Sequence, residues 1–337
     1  MSDAAGMQGS AGSARGAASG AAGASSAASG RRKPDWLKVK APAPRQYRAT
    51  GVLLDELELH TVCAEARCPN KGECFASGTA TFLILGDVCT RGCEFCSVEH
   101  TCSPGTGVRP LALDTDEPRR VAEAARRLGL RHVVITSVTR DDLAGGGAAQ
   151  FAAAVSAVRA AVPDATVEVL VPDFGGEGAA LCAVLAAAPD VLDHNLETVP
   201  RLYARARPQA DYARSLGLLR QAALWARRSD PAALGSAGPA ARLLVKTGLM
   251  VGLGETREEI AAVLEDAVGA GIDAVTIGQY LQPHAGCLPV DRYVAPQEFH
   301  DYERAGAALG LTVVAAPFVR SSYRAGELLG AAARTRR

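Results

Sequence analysis

The sequence predicts an α/β protein built as a partial (β/α)6-type barrel of the TIM kind, with N- and C-terminal extensions. Three observations predict it. Between residues 80 and 310, short apolar runs alternate with helical stretches, the pattern of a parallel sheet covered by helices. Six such runs over about 200 residues match the repeat of a partial or full barrel. After the first run comes Gly-Asp-Val-Cys-Thr-Arg-Gly-Cys at 86–93 rather than a dinucleotide fingerprint, so a functional loop stands where a barrel carries its active face. A doubly wound open sheet is the alternative.

The elements follow in order. Of the first thirty residues, twenty-five are Ala, Gly or Ser, so 1–30 reads as a flexible tail without the charged-then-apolar pattern of a signal peptide. Residues 31–79 form an N-terminal extension. Its start carries Arg31, Arg32, Lys33, Lys38, Lys40, Arg45 and Arg48 against Asp35, a solvated arm or a strip for an acidic partner. The barrel occupies 80–310. Strands are expected at 81–85, 132–138, 166–171, 191–196, 243–251 and 274–280, and helices at 111–129, 150–161, 181–187, 212–228 and 257–270. Residues 311–337 form a C-terminal segment.

Composition excludes several classes. Lys+Arg and Asp+Glu both number 36, so bulk charge does not recruit nucleic acid or a membrane surface. Aromatics are 5%, which predicts an aliphatic core. Long uncharged stretches such as 143–158 are Gly/Ala-rich and contain Gln150, unlike a membrane span. Seven of nine cysteines fall between Cys63 and Cys102, a crowding that reads as metal ligation in a reducing compartment, here the cytoplasm.

Two triplets stand out. Cys89, Cys93 and Cys96 have the spacing C-x3-C-x2-C. Three thiolates leave one iron of a cubane cluster without a protein ligand, an open position that a catalytic site uses. Zinc would need a fourth ligand, and His100 and Cys102 are near enough in sequence to supply it. Cys63, Cys68 and Cys74 have the spacing C-x4-C-x5-C and again lack a fourth ligand. A sacrificial sulfur source gives a second cluster so close to the first a purpose.

The second triplet, with Phe95 before its last cysteine, resembles the radical S-adenosylmethionine (SAM) superfamily. With Cys68-Pro-Asn and Gly-Glu-Cys74-Phe the resemblance narrows to the lipoyl synthase family. It is carried further by motifs at 134–143, 170–174, 194–200, 248–255, 278–283 and Pro317-Phe-Val-Arg-Ser-Ser-Tyr323.

The resemblance implies two 4Fe-4S clusters, one on Cys89, Cys93 and Cys96, the other on Cys63, Cys68, Cys74 and Ser322. It also implies SAM as co-substrate, two per lipoyl group, with Phe95 near the adenine. The implied activity inserts two sulfur atoms at C6 and C8 of a protein-bound octanoyl group. Implied partners are an octanoylated lipoyl carrier domain (a 2-oxoacid dehydrogenase subunit or the glycine cleavage carrier protein), an electron donor such as flavodoxin or ferredoxin, and an iron–sulfur carrier. Asn195, Glu197, Lys246, Arg140 and Gln279 stand at predicted strand ends, where a barrel collects ligand contacts.

The sequence departs from the family's pattern at Thr139, Gly175-Gly176, Ala316 and His284–Cys287, none a cluster ligand. Cys182 and Cys287 read as packing cysteines. A methylthiotransferase is the alternative, but its RNA-binding domain would need more than the 14 residues after Tyr323.

Overall fold

A computed structural model describes residues 32–38, 44–102, 107–228, 243–323 and 325. The tail expected at 1–30 lies outside the described residues. By its internal contacts the chain divides into 1–32 and 33–337, and the second unit carries everything below.

Helix α1 (Pro44–Glu56) precedes an edge strand β1 (His60–Thr61) and two short helices, α2 (Val62–Glu65) and α3 (Lys71–Ala76). The first barrel strand is β2 (Thr81–Ile84). The loop after it contains a small parallel pair, β3 (Val88–Cys89) and β4 (Glu99–His100). Alternation then begins with α4 (Glu117–Leu128), β5 (His132–Ser137), α5 (Ala148–Ala161), β6 (Thr166–Leu170), α6 (Gly178–Ala186) and β7 (Val191–Asp193). It continues through α7 (Tyr203–Ala206), α8 (Tyr212–Arg228), β8 (Leu244–Val251), α9 (Arg257–Ala270), β9 (Ala274–Gln279), α10 (Pro296–Ala308) and β10 (Thr312–Ala315).

The sheet order is β1-β2-β5-β6-β7-β8-β9-β10. All neighbours from β2 to β10 are parallel, and β1 runs antiparallel to β2. The six predicted strands are β2 and β5 to β9, each followed by a helix, so the partial barrel is borne out. It is open, with β1 and β10 at its edges, and the sheet continues past residue 310. Every residue of β2, β7 and β9 is buried, as expected of strands covered on both faces. Helix α9 buries Ile260, Val263, Leu264 and Ala267, one face at helical spacing, and starts at a Thr256–Glu259 capping box. The core is aliphatic, as the composition predicts.

Three local expectations change. The helix expected over 111–129 starts only at Glu117, because Pro118 suits the first turn and not a helix interior. The strand expected over 191–196 ends at Asp193. There Thr247 Oγ1 donates to the His194 carbonyl at 2.8 Å and accepts from Leu196 N at 3.1 Å, replacing the ladder. Cys182 is exposed rather than packed, since α6 buries Ala180, Leu181, Val184 and Leu185 and turns position 182 outward.

Candidate functional site

The Cys89–Cys96 loop springs from the C-terminal end of β2, where Leu85 and Gly86 both take positive φ (70° and 88°). Glu117 Oε2 accepts from Leu85 N at 3.0 Å and Arg140 Nη1 donates to its carbonyl at 3.1 Å, holding that turn in a conformation unfavourable for leucine. Gly147 packs so close that a Cβ there would stand 2.4 Å from Leu85 Cδ1.

Within the loop, Arg91 is a clamp. Its Nε and Nη2 donate to Asp141 at 2.7 Å each, and Nη2 reaches Asp173 Oδ1 at 2.7 Å. Asp173 also takes Arg214 Nε at 2.7 Å. Burial pushes the Asp173 carboxyl up, but Arg91 and Arg214 outweigh it and hold it well below the usual carboxylate range. Thr90 Oγ1 donates to the Thr139 carbonyl at 3.0 Å. The cysteine loop is thus pinned to the segments following β5 and β6.

Cys89 Sγ accepts from the backbone N–H groups of Arg91 and Thr139 at 3.4 and 3.3 Å. Burial raises the Cys93 thiol, with Arg207 pulling the other way, and pushes Cys96 up to about 12. The charges of Cys89, Cys93 and Cys96 act on one another, so the three share one locality.

The first triplet is carried by α2 and α3. Thr61 caps α2 by accepting from Ala64 N at 3.3 Å, and Cys68 N donates to the Cys63 carbonyl at 3.2 Å, folding the segment into a knot. Burial raises Cys63, and burial with the neighbouring thiols pushes Cys74 up to about 12. The two triplets meet. Ser97 Oγ, next to Cys96, donates to the carbonyl of Glu65, between Cys63 and Cys68, at 2.6 Å.

The C-terminal segment folds back across this mouth as a strap. Asn70 Nδ2 donates to the Phe318 carbonyl at 2.8 Å, and Tyr323 OH donates to Glu73 Oε1 on α3 at 2.9 Å. Ser321 Oγ donates to Asn195 Oδ1 at 2.6 Å, and Lys246 Nζ donates to the Ser321 carbonyl at 2.8 Å. Ser322 stands between these two anchorages. Two glycines make the room. A Cβ on Gly278 would lie 2.0 Å from the Val319 carbonyl oxygen, and one on Gly248 would lie 2.4 Å from Ser321 Oγ.

Gly278→Ala is therefore expected to displace the strap against an unyielding backbone atom, at an overpacking cost of about 1–3 kcal/mol. Denaturant unfolding and tryptic cleavage at Arg320 check it. Gly269→Ala on α9, where a Cβ meets nothing within 4 Å, is the control and should leave both unchanged or slightly improved.

The remaining predicted site residues divide. Asn195, Glu197 and Lys246 gather around the strap. Asn195 Nδ2 donates to Glu197 Oε1 at 3.1 Å, and Glu197 holds φ at 67°. Lys246 is fully buried, within 2.5 Å of Glu168 and 3.2 Å of Asp193, while His132 bridges Glu168 and Thr166. Burial and the Glu168 charge outweigh Lys246 and raise Asp193 to about 7. Arg140 pairs with Asp142 beside the start of the cysteine loop. The Gln279 amide is spent on the backbone of Val251, Tyr280, Arg292 and Val294. Phe95 is half-buried against the core.

Of the spare cysteines, Cys287 is buried and donates to the Cys96 carbonyl at 3.4 Å, while Cys102 is exposed and accepts from Gln209 Nε2 at 3.2 Å. Sequence reasoning missed the Arg91–Asp141–Asp173–Arg214 chain, Arg207 and Arg320. Their signal was unlike charges far apart in sequence: Arg91, Asp141 and Asp173 follow strands, while Arg207 follows α7 and Arg214 lies on α8.

Among the described residues no three His, Cys, Asp or Glu side chains are set to hold a single metal ion. The donor set fits a larger group. Two triplets of free thiols each share a locality, and a cluster spreads its ligands over several irons. The raised thiols stay protonated until metal displaces the proton. No described helix is long and apolar enough to cross a membrane.

A C-x3-C-x2-C loop at the C-terminal end of the first parallel strand of an open barrel defines the class, and the radical SAM superfamily's sequence model matches residues 83–267. A second model, the N-terminal domain of lipoyl synthase of the radical SAM family, matches residues 21–68. The chain is 53% identical over 295 residues to a lipoyl synthase of Nitratidesulfovibrio vulgaris, covering 87% of this chain and 91% of that one. It is 51% identical to the lipoyl synthase of Caldanaerobacter subterraneus subsp. tengcongensis, covering 87% and 96%. The chain belongs to the lipoyl synthase family.

Proposed function

We propose that this chain inserts two sulfur atoms, at C6 and C8, into an octanoyl group amide-linked to a lysine of a lipoyl carrier domain. Family membership supports the enzyme class. The observation that carries the finer reading is the triplet Cys63, Cys68 and Cys74, whose segment is joined to the Cys89–Cys96 loop through Ser97 and Glu65 and is bound by the strap.

In this reading Cys89, Cys93 and Cys96 hold one 4Fe-4S cluster, and Cys63, Cys68, Cys74 and Ser322 hold another. When bound, the first supplies the electron for reductive cleavage of SAM and the second supplies sulfur. Both C–H bonds are unactivated, so no side chain is assigned as a general base. The residues position and exclude instead. Arg91 fixes the loop of Cys89, Cys93 and Cys96, and Phe95 offers an apolar face within it. Asn195, Glu197 and Arg140 stand at strand ends where polar groups of SAM would be held, while Lys246 and Gln279 shape the backbone around them. Lys246, buried with Glu168 and Asp193, also holds the strap at the Ser321 carbonyl, and a strap held there would screen the site from water.

The carrier would be a 2-oxoacid dehydrogenase subunit or the glycine cleavage carrier protein. Flavodoxin or ferredoxin would supply electrons, and an iron–sulfur carrier would rebuild the spent cluster, all in the cytoplasm. Anaerobic incubation of the reconstituted chain with an octanoyl-lysyl peptide, SAM and dithionite should yield the lipoyl peptide by mass spectrometry. SAM cleavage without sulfur in the peptide would reject the reading, and a methylthio product on another acceptor would favour the methylthiotransferase alternative.

A further inference from the structure

Arg207 is a half-buried arginine to which the roles above assign nothing. It follows α7 in a turn fastened to the cysteine loop, where Glu94 N donates to the Ala206 carbonyl at 3.0 Å. Its Nη1 donates to the carbonyls of Asn195 and Leu196 at 3.1 and 3.5 Å and to Tyr203 OH at 3.3 Å. The guanidinium carbon lies 5.4 Å from the Tyr203 ring centroid. Its Nε–H is buried with no acceptor among the described residues.

The guanidinium's charge acts on Cys93 and on Glu197, so it faces the cysteine loop to which the neighbouring Ala206 is bonded. His194, lowered to about 4 by burial first and Arg207 second, stays neutral beside it, its Nδ1 donating to the Val171 carbonyl at 2.7 Å. An arginine does not deprotonate in a protein, so this positive charge is permanent. It is half-buried, with its Nε shut off from solvent, where a charge acts more strongly than in open water.

We propose that Arg207 is the charge-compensating residue of the Cys89, Cys93 and Cys96 site, its guanidinium fixed against the Cys93 segment with one N–H left free. This rests on the reading that these cysteines hold an iron–sulfur cluster. Reduction there adds one electron, from an external low-potential donor, and hence one negative charge. No bond forms or breaks and no proton is taken up. A fixed cation favours the reduced form and raises the potential, one of the ways a protein tunes such a group.

The test is a dithionite-poised redox titration of the full chain, reconstituted with iron and sulfide. The paramagnetic resonance signal followed is the one that changes when SAM is added. Arg207→Gln keeps an N–H donor and removes the charge. With wild-type iron content, its reduced-to-oxidised ratio at fixed potential should fall at least tenfold, 59 mV for a one-electron couple. Arg207→Lys keeps the charge and should stay near wild type. An iron-loaded Gln variant at the wild-type potential overturns the proposal. Should the Gln variant fail to load, Lys decides: loading at the wild-type potential supports the proposal, and failed loading or a tenfold fall overturns it. A chain with Arg207 intact and Cys89, Cys93 and Cys96 replaced by Ala that keeps both its SAM-responsive signal and its full iron would instead overturn the cluster assignment itself.

Discussion

Replacing Cys89, Cys93 and Cys96 together by Ala is expected to reduce SAM cleavage to background while leaving about four irons per chain, the content of one cubane cluster. The triplets sit on separately built segments. Cys63, Cys68 and Cys74 belong to the α2–α3 knot, held by its own backbone bonds and by the strap through Asn70 and Tyr323. Cys89, Cys93 and Cys96 belong to a loop pinned by Arg91, Thr90 and the Glu94–Ala206 bond, none of which uses a thiol. Deleting the three sulfurs therefore leaves the loop anchored and the knot intact. Iron and acid-labile sulfide assays, with 5′-deoxyadenosine measured by chromatography, check both halves. Loss of all iron from a folded variant would mean one shared site, not two.

The parts of this site that sequence made legible are local ones. Both triplets can be read because their cysteines lie within one short segment each, and the six strands because each is a short apolar run. Contacts across the barrel are different. Arg91 meets Asp141 fifty positions away, and Ser321 meets Asn195 across 126. Nothing in either segment's composition announces the other. Lys246 illustrates the limit. Its place in a strand was legible, but its partners depend on register: Asp193 stands opposite it on β7, and Glu168 comes from the next strand, β6. Gly248 and Gly278 were visible as motif residues, yet their use as clearance for the strap appears only once the C-terminal segment is seen lying on them. Ser322 came from resemblance alone, since a serine in Arg-Ser-Ser-Tyr is otherwise a polar turn.

That serine carries the other large effect. Ser322→Ala is expected to retain formation of 5′-deoxyadenosine while losing lipoyl product by about tenfold or more, roughly 1.4 kcal/mol of barrier. On the proposed reading Cys63, Cys68 and Cys74 would supply three ligands, and a fourth would come from a group facing the α2–α3 knot. Cys102 is engaged with Gln209 and the Thr90 carbonyl, and Cys287 with the Cys96 carbonyl, both at the other triplet's loop. Ser322 instead follows Ser321, held by Lys246 and Asn195, and precedes Tyr323, held by Glu73 one residue from Cys74. A serine oxygen would be a hard ligand on a soft cluster, and so would hold it less firmly than a thiolate. Ser322→Cys should accordingly keep full iron and SAM cleavage but resist sulfur transfer. Wild-type lipoyl yield from Ser322→Ala would reject the ligand assignment. Loss of lipoyl product in Cys102→Ala, with SAM cleavage intact, would move the fourth ligand to Cys102.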